Sequence, residues 1–407
     1  MPEQTPQAPP DTGSYPFPPG PHGGCPEAYT QRRRACPVSP VTLPSGDEAL
    51  LATRYDDIRA VHSGAAFSRN LRYPGAPRMV ADDTGIGDDP YAIINMDPPE
   101  HARLRRIVQG AFTPRRAESW RAEIRDVADR LLTGMIAAGA PADLVPAFAF
   151  PLPVEVICRL LGVPARDSAR FRGWSDTLLS LTPADGAARG RAAADFGAYV
   201  DGLVADHRRT PGTDLIDDLI DARDEGDRLS EEELGRLVRG LIVAGHETTA
   251  NIIGRGVLAL LRHPDQLAEL RADPSLLPGA TEEILRTEIP GHGALLRVAT
   301  QGVALPSGAT VGRGEAVLAP MVAANHDPDR FPRPDAFDIR RADNRHLAFG
   351  FGPHFCLGAH LARVELQVAL EAVVQRLPGL ALAVPAAELN WSSGSRVCGL
   401  ERLPVTW

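Results

Sequence analysis

With 407 residues, 43% of them hydrophobic, and a formal net charge of −9, the chain can bury a sizeable core and is too acidic overall to suit a nucleic-acid partner. Its basic residues other than histidine are all arginine; there is no lysine. Five cysteines (Cys25, Cys36, Cys158, Cys356 and Cys398) are odd in number and scattered, so they make neither a disulfide framework nor a Cys-x-x-Cys metal site, and they point to a reducing cytoplasm.

Residues 1–24 are dense in proline and glycine and predict a partly disordered lead-in to a single domain over residues 25–407. The N-terminus lacks the basic, apolar and small-residue pattern of a signal peptide, and no apolar run reaches the ~18 residues that span a bilayer. A soluble protein is expected. From Ala49, ALLATRY predicts a strand and DDIRAVHSG a short helix, before a long Pro/Gly/Asp-rich loop over Leu71–Tyr91.

The helical middle begins near Pro99. His101 and Arg105 lie one turn apart and project from one helix face, which suits either a pair of anion donors or a solvated basic surface. Further helices are predicted over Ala117–Ala138, Pro153–Leu161, Arg166–Leu181 and Ala187–Arg209, with a hinge at Thr182–Arg189. A long central helix starts at Ser230, an N-cap followed three residues later by Glu233. Its middle reads Ala244-Gly245-His246-Glu247-Thr248-Thr249. Gly245 there would let a ligand approach the backbone, and the acid–hydroxyl pair would divert hydrogen bonding from the i−4 ladder.

Glu283 and Arg286 form an i,i+3 acid–base pair, worth little if exposed. Arg297 opens a strand-rich part in which PSGATVGRGEAVLA predicts a hairpin, followed by an irregular meander. Last comes FGFGPHFCLGAHLAR, from Phe349 to Arg363. The glycines Gly350, Gly352 and Gly358 allow a flat ligand close to Cys356. The helix that follows aims its positive end at the sulfur. That would lower the thiol pKa and suit Cys356 to ligate a metal such as iron; a lone cysteine is more commonly a buried free thiol, but the restrictive glycine and histidine spacing argues against that here.

This last stretch resembles the haem-binding loop of the cytochrome P450 superfamily, whose haem ligand is a cysteine thiolate. The resemblance runs in order from about residue 40 to the C-terminus. It implies a mainly α fold with a smaller β-rich lobe, and haem b held between the central helix and the Cys356 loop. Phe349, Gly350, Gly358 and Ala244 would border the haem, and His101, Arg105, Arg297 and His354 would meet its two propionates. Glu283, Arg286 and Arg341 would fix the backbone that presents Cys356. The implied reaction is insertion of one oxygen atom from O2 into an organic substrate, with Thr248 holding oxygen or a water in register and Glu247 feeding protons. His246 occupies a position that varies in the family and is given no role.

No NAD or flavin domain is evident, so the expected electron donors are a separate ferredoxin and ferredoxin reductase. Arg103, Arg106, Arg115, Arg116, Arg345 and Arg363 form the expected docking face. Substrate would meet Ile93, Ile94, Gly240, Val243, Ala244, Gly293, Ala294, Leu295, Arg396 and Val397. A secondary metabolite fits this type of member. Oxidative C–C or C–N coupling needs no change in these motifs and stays open. A non-catalytic haem-binding relative would be expected to lose the ligand or the acid–alcohol pair, and both are present.

Overall fold

The computed structural model describes residues 13–81, 89–182, 186–224, 229–291, 294–392 and 394–407. It is mainly helical with a smaller sheet-rich lobe. In the lobe, β1 (Val38–Thr42) and β2 (Glu48–Ala52) pair antiparallel. β2 then runs parallel to β5 (Ala316–Leu318), β5 pairs antiparallel with β4 (Arg297–Ala299), and β3 (Phe67–Ser68) closes the sheet on β4. Tyr29, Ile58, Val298 and Phe331 lie in the lobe's core, and Ile58 comes from α1 (Tyr55–Ser63).

A second core belongs to the helices: α2 (Glu100–Val108), α3 (Arg121–Ala138), α4 (Pro151–Leu161), α5 (Ser168–Leu179), α6 (Gly186–Arg209), α7 (Glu231–Arg262), α8 (Leu277–Thr287) and α9 (Ala359–Arg376). α7 is the long central helix. Its start is fixed by a capping box: the Glu233 amide donates to Ser230 Oγ at 3.1 Å, and the Ser230 amide to Glu233 Oε2 at 2.8 Å. Leu234, Val238, Ile242, Ile253 and Val257 are buried on it. Every residue from Ile252 to Leu260 is buried, so the helix is enclosed there, and α4, α6, α8 and α9 pack along it. None of the described helices is long and apolar enough to cross a membrane.

Three expectations change. The helix predicted over Ala117–Ala138 is two, Pro114–Ser119 and α3, meeting at Trp120. Thr113 and Pro114 start the first piece, the Arg116 amide donating to Thr113 Oγ1, so the helix begins earlier than its apolar pattern suggested. The predicted hairpin forms around Ser307–Gly308 between Val303–Ala304 and Thr310–Val311. Beyond its second turn the chain leaves to become β5 in the large sheet. Of the lead-in, residues 1–12 lie outside the described set, but Tyr15 and Phe17 are buried in the lobe core. The Tyr15 amide donates to the Thr42 carbonyl at 2.8 Å.

Candidate functional site

The loop that presents Cys356 is a tight backbone construction. The Cys356 amide donates to the Phe349 carbonyl at 2.8 Å, and Gly350 and Gly352 both sit in the left-handed region at φ 74° and 73°. At Gly352 space also matters, since a Cβ would lie 2.7 Å from the His62 carbonyl oxygen at the end of α1. Arg363, from the first turn of α9, lies over the Phe349 ring at 4.6 Å. Cys356 is exposed as a residue, but protein atoms crowd its sulfur. Burial pushes the thiol pKa up; the Gly358 amide, Arg105 and Arg363 pull it back without reversing the direction. The amide at the start of α9 thus acts in the expected direction, and burial outweighs it. A thiol in such a site is deprotonated by the cation it ligates.

Behind the loop, α8 carries two adjacent acids with different partners. Glu283 and Arg286, both fully buried, meet through two hydrogen bonds of 2.7 and 2.9 Å. Glu283 also accepts from Arg341 Nε at 3.1 Å, Asn344 Nδ2 at 3.0 Å and the Asp338 amide at 2.9 Å. Arg286 spends its remaining donors on the carbonyls of Asn325, Pro334 and Ala336. Asn325 in turn accepts from the Leu347 amide at 2.7 Å, two residues before Phe349. Glu282 accepts from Arg363 at 2.7 and 2.9 Å and pairs with His346 at 3.1 Å. Burial raises its pKa, but the hydrogen bonds from His346 and Arg363 outweigh that and hold it at about 2.

Four cationic or protonatable groups from three elements of the chain converge nearby. His101 and Arg105 come from α2, Arg297 opens β4, and His354 ends the turn Gly352–His354. The rings of His101 and His354 are 4.1 Å apart. Burial, then Arg297, His101, Arg69 and Arg105, push His354 down to about 2, and burial pushes Arg297 down to about 10 with only Asp97 acting against it. Arg297 is 4% exposed, and its Nε is buried with no hydrogen-bond partner among the described residues. So much buried positive potential beside an orphaned donor suits a ligand bearing carboxylates. The two propionates and the iron of haem fit this donor set and Cys356.

The middle of α7 has one open face. Gly240, Ala244 and Thr248, spaced four apart, are exposed on a helix otherwise largely covered. Val243, beside them, is buried in the helical core. Thr248 donates its hydroxyl to the Ala244 carbonyl at 2.9 Å, and the helix continues unbroken, so the expected diversion of its ladder does not occur. Gly245 serves packing instead of ligand approach: a Cβ there would lie 2.8 Å from Ile157 of α4. Glu247 is buried at the edge of a cavity of about 350 Å³ that Arg172, Asp176, Asn251, Ser395 and Val397 also line.

Ile93 and Ile94 form a short turn that Arg69 ties down. Arg69 donates to the Ile94 carbonyl at 3.1 Å, to Asn95 Oδ1 at 2.8 Å and to the Leu296 carbonyl. One buried guanidinium thus joins that turn to the half-buried Ala294–Leu295 segment. Gly293 lies outside the described residues. The Arg396 amide donates to the Leu179 carbonyl at 2.8 Å, and its side chain is near enough to Tyr15 to pull that phenol's pKa down against a larger rise from burial. His207, Asp214 and Asp217 also approach one another within metal-binding distance, but both carboxylates are committed to backbone amides of residues 212–217. Sequence reasoning missed Arg69, Glu282, Asn325 and Asn344.

The cytochrome P450 family profile matches residues 178–378. Mycinamicin IV hydroxylase/epoxidase of Micromonospora griseorubida is 45% identical over 382 residues, covering 93% of this chain and 94% of that protein. Nocardicin C N-oxygenase of Nocardia uniformis subsp. tsuyamanensis is 43% identical over 98% of this chain and 99% of its own. Among solved structures, mycinamicin VIII C21 methyl hydroxylase MycCI from Micromonospora griseorubida superimposes with TM-score 0.91 at 34% identity, covering 97% of this chain and 100% of that one. Cytochrome P450mel 107F1, with biaryl coupling reactivity, gives 0.88 at 38% identity, covering 93% and 96%. Motifs, fold and relatives agree: the chain belongs to the cytochrome P450 family of haem-thiolate monooxygenases.

Proposed function

We propose that this enzyme hydroxylates or epoxidises a small secondary metabolite in the cytoplasm, using haem b, O2 and electrons from a ferredoxin and its reductase. The observation that carries the reading is the under-compensated cationic cluster that His354 joins to the Cys356 loop, in a chain whose α7 bears Thr248 on its open face and Glu247 on its cavity side. Haem, when bound, supplies oxygen activation and atom transfer. Cys356 would ligate its iron, and His101, Arg105, Arg297 and His354 would hold its propionates. Phe349, Gly350, Gly358 and Ala244 would border it. Glu283, Arg286 and Arg341 would keep the Cys356 loop in place. Thr248 Oγ, already oriented by the Ala244 carbonyl, keeps lone pairs available to accept from a water in the pocket. Glu247 brings protons from the cavity side of α7 to the Thr248 side.

Substrate would be framed by Gly240 and Ala244, the Ile93–Ile94 turn, Gly293 to Leu295, and the Arg396–Val397 turn. Docking of a small acidic ferredoxin falls to Arg106, Arg115 and Arg116, which are exposed. Arg103, Arg345 and Arg363 are held by Glu233, Asp343 and Glu282 and contribute less than expected. Oxidative coupling is the second reading, favoured by the coupling reactivity of a neighbour sharing 38% identity.

A metabolite library screened for displacement of the haem-bound water, followed by product mass after turnover under labelled O2, tests both readings. Label in the product supports monooxygenation, and a dimer or ring closure without label supports coupling. Neither product from any spectrally binding ligand would count against both.

A further inference from the structure

The open face of α7 is closed off at Arg255. Gly240, Ala244 and Thr248 are exposed along that face, whereas Arg255, about two turns beyond Thr248 and nearly in line with it, is 3% exposed. Three segments cover it. Its Nε donates to the Glu288 carbonyl at 3.0 Å just past α8, and its Nη2 lies 3.1 Å from Glu288 Oε2. Nη2 also donates at 2.8 Å to the carbonyl of Gly23, 232 residues away, in the turn Pro21–Gly23. The guanidinium carbon stands 4.9 Å from the centre of the Trp391 ring. Burial pushes the Glu288 carboxyl pKa up, and Arg255 leads the groups that pull it back, ahead of Arg262 and His263.

The three partners all lead to one place. Trp391 pairs with Leu400, and the Ser392 amide donates to the Gly399 carbonyl at 2.9 Å, so Trp391 opens the turn that carries Arg396 and Val397. That turn rests on α7, where a Cβ at Gly399 would overlap Asn251 Oδ1, one helical turn before Arg255. Past Glu288, Gly291 backs onto the same turn, and a Cβ there would lie 2.5 Å from the Arg396 carbonyl oxygen. Gly23, at φ 73°, lies against Trp391, and its Cβ would meet the ring at 2.5 Å. On the far side the end of α5 holds the turn, the Arg396 amide donating to Leu179 at 2.8 Å and the Leu181 amide to Gly394 at 2.7 Å.

We propose that Arg255 is a positioning residue for substrate: it ties Trp391 and the Pro21–Gly23 turn to α7 and so sets where the Arg396–Val397 turn stands. The inference rests on the reading that this turn frames the substrate. A planar fork stacked on one ring can give its edge to two carbonyls and a carboxylate at once. An ammonium at the same position would compensate Glu288 but could not also hold Gly23 and lie flat on Trp391. The N-terminal turn thereby becomes part of the pocket's frame.

The test uses the haem-loaded enzyme and two iron-binding probes, imidazole and econazole, read by the shift of the Soret band. Imidazole reports access to the iron alone, whereas the aryl groups of econazole also report the pocket walls. Arg255→Lys keeps the charge beside Glu288, and Trp391→Leu removes the ring from the other side. Each should raise the econazole Kd about tenfold, with the imidazole Kd, haem content and reduced carbonyl band unchanged. The double variant should lose little more than either single one, because both break the same contact. Amide exchange over residues 15–24 and 394–400 should quicken together in Arg255→Lys, with α9 unaffected. Faster exchange with an unchanged econazole Kd would leave Arg255 a structural tie and overturn the proposal. So would parent-like behaviour of Arg255→Lys in both measurements, equal losses for the two azoles, additive losses in the double variant, or a parent that binds econazole no more tightly than imidazole. A parent that gives no thiolate carbonyl band would sink the monooxygenase reading instead, and leave the exchange result standing.

Discussion

Glu282 and Glu283 are neighbours on one helix, each bound by an arginine through two hydrogen bonds, yet their removal should have unequal effects. Glu283 lies at 0% side-chain exposure with Arg286 at 0% and Arg341 at 9%. In Glu283→Gln an amide NH2 would face the donors of Arg286, Arg341 and Asn344, leaving a buried guanidinium uncompensated. Breaking such a pair costs ~3–5 kcal/mol, a large part of the ~5–15 kcal/mol that holds a typical domain together. Glu282 is 29% exposed and its Arg363 27%, so water screens the pair. Its pKa of about 2 would suggest a large contribution, but at this exposure ~0.5–1 kcal/mol is the better figure.

The assay is urea denaturation of the two variants at equal haem load, followed by far-UV signal and haem release. Equal losses, or a larger loss in Glu282→Gln, would refute the argument that burial decides the cost. The pH dependence has a defined sign. Glu282 is depressed from 4.5 to about 2, so its contribution is complete above about 4.5 and is lost as pH falls toward 2. The gap in stability between the parent and Glu282→Gln should close in that window.

Cys356→Ser should abolish the red-shifted Soret band of the reduced carbonyl complex, while serine at Cys25, Cys36, Cys158 or Cys398 leaves it in place. Thr248→Ala should keep haem and substrate affinity but divert most electrons to peroxide or water, read as product per reductant consumed; parent-like coupling would remove the hydroxyl from the mechanism. Arg297→Leu should weaken haem retention against an acceptor such as apomyoglobin, since its buried Nε has no other partner among the described residues. Reversing both Arg106 and Arg116 to Glu should slow reduction by ferredoxin roughly tenfold at low salt and flatten the salt dependence, with substrate binding unchanged.

Much of this was legible because it is local. The Ser230–Glu233 capping box, the one-turn pairs His101/Arg105 and Glu283/Arg286, and the glycine spacing around Cys356 all declare themselves within a few residues. What stayed hidden depends on long-range encounters. Nothing near Arg69 indicates that it will reach the Leu296 carbonyl, and nothing near Glu282 announces Arg363. The position of Asn325 between Arg286 and Leu347 needs the assembled fold. Gly245 was misread because a missing Cβ serves a ligand and a neighbouring helix equally well, and only Ile157 decides between them.

The absence of lysine has a consequence for how this molecule responds to its surroundings. The nodes that join distant segments, Arg69, Arg286 and Arg341, each use a planar fork to satisfy several acceptors at once, which an ammonium cannot reproduce. Guanidinium also keeps its charge throughout the working range, so the framework offers acid or alkali no soft cation to neutralise. Sensitivity to pH is left to carboxylates and imidazoles, such as Glu282 behind the cysteine loop and His354 in the cationic site. Reagents that seek primary amines will find no side chain among these 407 residues to modify.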